Sequence, residues 1–211
     1  MKRILRNAGA GLLTLLLAAA YAQAGQDAGA KQKEFDELLA RVKKSDAAVD
    51  FGRLRALFTK LDSYGPLSPD TKEMSAAFRK GDYKAALQRV DAVLAENYLD
   101  VDAHYVGMIA ADKLGDAKRA AHHRYVEKRI LDSILRSGDG KTPETAYKVI
   151  FVSEEYALLR SLGLQSQQQD LVDLGSHSFD VLAVNDPKAK AVSRAYFNID
   201  PITAAEIRHF Q

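Results

Sequence analysis

Apolar residues recur at helical spacing through roughly the first two thirds of the chain and alternate through the last third. Phe35, Leu38, Leu39 and Val42 form one helical stripe, and Phe51, Leu54, Leu57, Phe58 and Leu61 form a second, each with the period of an amphipathic helix. The run Tyr64-Gly65-Pro66-Leu67-Ser68-Pro69-Asp70 reads as a stop followed by a start, with Ser68 as N-cap and Pro69 in the first helical position. A long helix is expected through Tyr125, Val126, Ile130, Ile134 and Leu135. From Tyr147 to Val152 the residues are β-branched and aromatic, as in strands. Ser153 to Gly163 then predicts a short helix with a serine cap, Glu154 and Glu155 on the positive end of its dipole, and a closing glycine. Further strands are expected near 168–174, 178–184 and 192–200, separated by turns at 175–177 and 185–188. The pattern predicts an α+β fold, with N-terminal helical hairpins packed against a C-terminal antiparallel sheet carrying one short helix.

The helical part contains an internal repeat. A shift of 34 residues aligns Met74 with Met108, Ala76 and Ala77 with Ala110 and Ala111, Gly81 and Asp82 with Gly115 and Asp116, Lys84 with Lys118, and Ala86 with Ala120, seven identities within 13 positions. Glycine permits a tight turn between helices, aspartate caps the next helix and alanine lets helices approach closely. The period and the Gly81-Asp82-Tyr83-Lys84-Ala85-Ala86 turn resemble the tetratricopeptide repeat. The resemblance covers about Leu67 to Leu135, but Tyr98 stands where a proline is usual and no third copy follows.

Ser137-Gly138-Asp139-Gly140-Lys141-Thr142 superficially resembles a phosphate-binding loop. Such a loop needs glycine six positions before its lysine and a buried strand ahead of it. Leu135 occupies that position and an amphipathic helix precedes it. The stretch is therefore expected to turn, with Gly138 stopping the helix and Thr142-Pro143-Glu144 opening a short helical segment.

The N-terminus alters the electrostatic picture. Lys2, Arg3 and Arg6 precede an apolar run from Ala8 to Ala20, and Ala22-Gln23-Ala24 follows, the pattern of a cleavable secretory signal. The run falls short of the roughly 20 residues a bilayer span needs. Residues 1–24 carry three of the 30 basic residues and none of the 28 acidic ones, so the rest of the chain has formal charge −1. That balance argues against nucleic-acid binding and against adhesion to acidic membranes. With no cysteine, stability must come from burial alone. The expected organisation is a signal peptide at 1–24, a flexible leader at 25–33 and one α+β domain at 34–211. Within that domain, 34–136 is helical, with repeats near 67–135, and 144–200 is mostly antiparallel strand. The expected location is the periplasm or the exterior, with no stable membrane anchor after cleavage.

Catalytic constellations are sparse. His123 and Glu127 have one-turn spacing, with His122 adjacent and His104 one helix away, yet two ligands do not make a metal site. Ser176, His177, Ser178 and Asp180 lie along one strand, where neighbours point to opposite faces and cannot converge as a triad. Glu154 and Glu155 are adjacent where acids at a helix start are ordinary. Of Tyr196 and Phe197, one should face the core. No metal, cofactor or catalytic residue is assigned on these patterns.

What remains is a binding surface. If the repeats stack, the leading helices place Ser75, Phe78 and Arg79 beside Tyr105, Ile109, Asp112 and Lys113, a mixture suited to an extended peptide or a partner helix. The open question is whether the sheet covers this face. In order, Ser137 to Thr142, Glu144-Thr145-Ala146, Val152-Ser153-Glu154-Glu155-Tyr156, Leu162-Gly163-Leu164, Phe179-Asp180-Val181-Leu182 and Tyr196-Phe197-Asn198-Ile199 are similar to DUF4919, a bacterial family of exported domains of unknown function. The likeness runs from about Phe35 to Asp200 and implies a single exported α+β domain without an assigned activity. The expected role is a non-enzymatic module for a protein or peptide partner in the cell envelope. The alternative is an enzyme with its site at the junction of helices and sheet.

Overall fold

A computed structural model describes residues 8–65, 70–187 and 191–209. In chain order these form α1 (Ala8–Lys43), α2 (Phe51–Phe58), α3 (Asp70–Arg79), α4 (Tyr83–Glu96), α5 (Val101–Lys113) and α6 (Ala117–Leu135). A 3-10 turn (Pro143–Thr145), β1 (Tyr147–Lys148), α7 (Val152–Leu162), β2 (Gln165–Leu174), β3 (His177–Asp186), β4 (Ala191–Asn198) and α8 (Asp200–His209) follow. The α+β class and its order, helices first and sheet after, are as the pattern predicts.

The hairpins α3/α4 and α5/α6 turn in the same way for the same reason. Gly81 and Gly115 adopt positive φ, +74° and +79°, where a side chain would be strained. Asp82 and Asp116 then accept the backbone N–H of Ala85 and Arg119, each at 3.0 Å, and so cap α4 and α6. Met74, Val90, Val93, Ala103, Ala110 and Ala120 close a core between these helices. A larger core joins Phe35 and Val42 of α1 and Phe51, Leu54 and Phe58 of α2 to α6, α7 and one face of the sheet. Phe35 and Phe58 stack at 5.4 Å, and Tyr64 closes the aromatic cluster by donating its hydroxyl to the Ile150 carbonyl at 2.6 Å.

Several local expectations are corrected. Residues 25–33 are helical, an extension of α1 with exposed side chains, because glutamine, lysine and alanine let the helix propagate backwards from its packed end. The strand expected at 147–152 is the two-residue β1, which pairs parallel with β4 in the order β1-β4-β3-β2. The sheet is thus an antiparallel meander with one parallel edge. α7 starts at Val152 behind Phe151, without a side-chain cap from Ser153; Gly163 does close it in the left-handed conformation. The C-terminal helix α8 lies beyond the elements that the pattern predicts. Residues 1–7 and the start signal at Ser68-Pro69 lie outside the described residues. Among the described residues, no helix is long and apolar enough to cross a membrane.

Candidate functional site

Stacking of the hairpins brings the leading helices α3 and α5 side by side, so Phe78 meets Tyr105 edge-on at 6.4 Å. Ser75, Phe78, Tyr105 and Ile109 are half-buried, while Arg79, Asp112 and Lys113 are exposed. The face is neither core nor fully open. α7 bounds one edge, where Arg160 lies 4.1 Å over the Tyr105 ring and holds Asp102 at 3.0 Å. At the turn end of the hairpins Arg79, Lys80, Lys84, Lys113 and Lys118 are all exposed and form no ion pair among the described residues. Two nearby carboxylates, Asp82 and Asp116, already serve as helix caps. This end of the face therefore carries excess positive charge that the whole-chain balance conceals.

The histidines form a buried chain. His104 Nε2 is 2.9 Å from the Tyr98 carbonyl, an acceptor only, so that nitrogen carries the proton. His104 Nδ1 then accepts from His123 Nδ1 at 3.1 Å. Burial pushes His104 down to about 3 and, with repulsion from Arg119, His123 down to about 4. His122 sits between the Tyr98 hydroxyl at 2.7 Å and Ser45 Oγ at 2.9 Å. Tyr98, which departs from the repeat pattern, thus ties two histidines to the hairpin junction. Gly107 is required beneath the His123 ring, whose Nε2 would lie 2.8 Å from an added Cβ. Among the described residues, no three histidine or acidic groups cluster so as to hold a metal ion.

Both acids at the start of α7 are fully buried. Glu154 grips the Arg55 fork at 3.1 and 2.5 Å and accepts the Ile150 N–H at 2.8 Å. Arg55 also donates to Ser133 Oγ and the Lys148 carbonyl, each at 3.1 Å. Every group in this network is matched, and it binds α2, α6, β1 and α7 together. Glu155 points the other way, towards the sheet. Its oxygens find no hydrogen-bond partner of ordinary geometry. Burial and then the Asp180 charge push its carboxyl up to about 9, so it holds its proton at neutral pH.

The stretch 137–142 is a turn whose polar groups are occupied internally. The N–H groups of Asp139 and Gly140 converge on the Thr145 carbonyl at 3.0 and 2.8 Å, and Asp139 accepts from Lys141 N–H and Thr145 Oγ1. Thr142 caps the 3-10 turn as expected. Gly138 does not stop α6 with a left-handed residue; it gives room for the 145–146 carbonyls, the nearest 2.2 Å from where a Cβ would be.

Beside this turn, on the sheet face turned away from α7, a cleft of about 590 Å³ opens between the 3-10 turn, the β2–β3 hairpin and the start of α8. His177 Nδ1 lies 2.6 Å from Asp200 Oδ2. His177 does not meet Asp180. The β3–β4 ladder explains the actual partner: Phe179 faces Asn198, and two further steps bring 177 opposite 200. Asp180 instead accepts from Gln169 Nε2 at 2.7 Å on the opposite face. Phe197 is buried and Tyr196 half-buried, so the pair serves packing first.

Compared with known proteins, residues 26–208 match the family model described as "Domain of unknown function (DUF4919)". No curated protein and no solved structure matches.

Proposed function

The chain belongs to the DUF4919 family, and from that premise we propose that it is an exported, non-enzymatic docking module of the cell envelope whose α3/α5 face takes an acidic protein or peptide segment. One observation carries the reading. A half-exposed aromatic pair, Phe78 and Tyr105, adjoins five exposed cations that form no ion pair among the described residues at the hairpin tips. The aromatic surface supplies an anchor, and the cations supply steering and register. Ile109 extends the apolar strip and Ser75 adds a hydroxyl beside it, while the exposed Asp112 next to Lys113 in sequence disfavours a partner that is acidic throughout. Export rests on the basic, apolar and small-residue sequence of 1–24, with cleavage after Ala24.

The test is fluorescence anisotropy with a labelled peptide that alternates glutamate and leucine. Binding is expected to weaken with salt and to fall by about tenfold or more in Arg79→Glu/Lys113→Glu. Phe78→Ser should lose affinity without changing the salt dependence. Binding that ignores both variants, or no binding at low salt, overturns the reading. Mass spectrometry of the envelope fraction should find an N-terminus at Gly25.

A further inference from the structure

The cleft on the outer sheet face has an independent chemistry. Its base is apolar, formed by Phe179 and Ala146 between Pro143 and Pro201. Its polar groups differ from the Arg55–Glu154 network and the histidine chain in having capacity to spare. Glu154, His104, His122 and His123 are each engaged by named neighbours, so none can serve a ligand without losing a native bond. His177 is held at one nitrogen only. Asp200 accepts His177 Nδ1–H at 2.6 Å, Ser178 N–H at 2.8 Å and Asn198 Nδ2 at 2.9 Å. Partial burial raises the acid's pKa, but these donors together bring it below the ordinary carboxylate value. His177 Nδ1–H donates to Asp200, and Nε2 has no protein partner among the described residues. Phe179 meets the imidazole edge-on at 6.3 Å.

Two opposite charges complete the lining. Glu144 stands in the first turn of the 3-10 segment, held ionised by its own backbone N–H and the Thr142 hydroxyl. Lys148, four residues on, presents an ammonium without an ion pair among the described residues. An anion, a cation and an imidazole nitrogen without a protein partner among the described residues, set around an apolar floor, match a ligand that has both an ammonium and a carboxylate on an apolar body. The volume lies in the range of small-ligand sites and exceeds what a free amino acid would fill.

We propose that this cleft binds a short zwitterionic peptide of two or three residues with apolar side chains. Its N-terminal ammonium lies between Glu144 and His177 Nε2, its C-terminal carboxylate lies on Lys148, and a side chain rests on Phe179. Asp200 positions His177 and does not itself touch the ligand.

Calorimetric titration of the full chain tests this with the dipeptide phenylalanyl-leucine, its N-acetyl form and its C-terminal amide. Each blocked form should bind about tenfold or more weakly, the worth of one charge-assisted hydrogen bond. Glu144→Gln should erase the difference between the free and N-acetyl forms, and Lys148→Met the difference between the free and amide forms. Nitrogen NMR should show the Nδ1–H tautomer of His177, with Nε2 shifting on titration, and Asp200→Asn should weaken binding while leaving Glu144 discrimination intact. Absence of heat and of Nε2 shift at millimolar dipeptide, or equal binding of all forms, overturns the proposal. Arg79→Glu/Lys113→Glu should leave dipeptide binding unchanged, which separates this site from the α3/α5 face.

Discussion

Replacing Arg55 by methionine should be among the most damaging substitutions in the chain. It removes the guanidinium that meets Glu154 at 3.1 and 2.5 Å and leaves that carboxylate, fully buried, with the Ile150 N–H alone. Orphaning one member of a buried ion pair costs about 3–5 kcal/mol, a large share of the roughly 5–15 kcal/mol that holds a domain together. Glu154→Met should cost about as much, because it strands the Arg55 charge with only Ser133 and the Lys148 carbonyl. The double variant leaves no buried charge. Its main debt is the unmatched Ile150 N–H, about 1–3 kcal/mol, so it should be more stable than either single variant. Urea denaturation followed by circular dichroism on the four proteins yields the coupling energy, expected to exceed ~2 kcal/mol. Additive effects within about 0.5 kcal/mol would refute the view that the network acts as one unit.

Stability should also peak near pH 6.5 and decline towards pH 9 by about 1.4 kcal/mol per unit, because the native state keeps on Glu155, with a carboxyl raised to about 9, a proton that the unfolded chain releases above 4.5. Below 6.5 the unfolded chain protonates both buried histidines while native His123 and His104 resist until about 4 and 3, an acid-side loss partly offset by Asp100, raised by burial to about 6; thermal melts of Glu155→Gln should lack the alkaline slope. Gly107→Ala should lower the melting temperature despite alanine's helix preference, since its Cβ would lie 2.8 Å from His123 Nε2, a clash worth ~1–3 kcal/mol. Gly29→Ala in α1, with nothing within 4 Å, should be neutral or gain up to about 1 kcal/mol, and the opposite ordering of the two melts would contradict this packing.

The helical hairpins were legible because their determinants are local. Glycine at the turn, aspartate one position later and alanine at the helix contact act within a few residues, and a shift of 34 repeats all three. The fates of 147–152 and 25–33 were not legible. Val149, Ile150 and Phe151 are as apolar as a strand would require, yet they are buried as a connection into α7 and only Tyr147 and Lys148 find a ladder partner. Burial of a short apolar run satisfies the composition equally well in either conformation. The sheet's meander followed from its short turns, whereas the parallel edge pairing of β1 depends on where the long path through α7 returns.

The side-chain pairings that escaped the sequence reading did so for two distinct reasons, and one left a usable sign. His177 and Asp200 meet because of strand register, which no local motif encodes; once Phe179 is known to face Asn198 the pairing follows, but not before. Glu154 and Glu155 look like ordinary acids at a helix start. The sign lay three residues further on, where Ala157, Leu158 and Leu159 are consecutive and all buried. An amphipathic helix buries one stripe and cannot hide three neighbours about 100° apart. Such a run marks a helix covered on two sides, here by α5 and α6 on one side and the sheet on the other. Acids one turn earlier on such a helix must then enter the protein too. Two adjacent side chains on it diverge into different layers, and each needs its own answer to burial. Glu154 finds an arginine and remains part of an ion pair, while Glu155 finds the Asp180 carboxylate and keeps its proton.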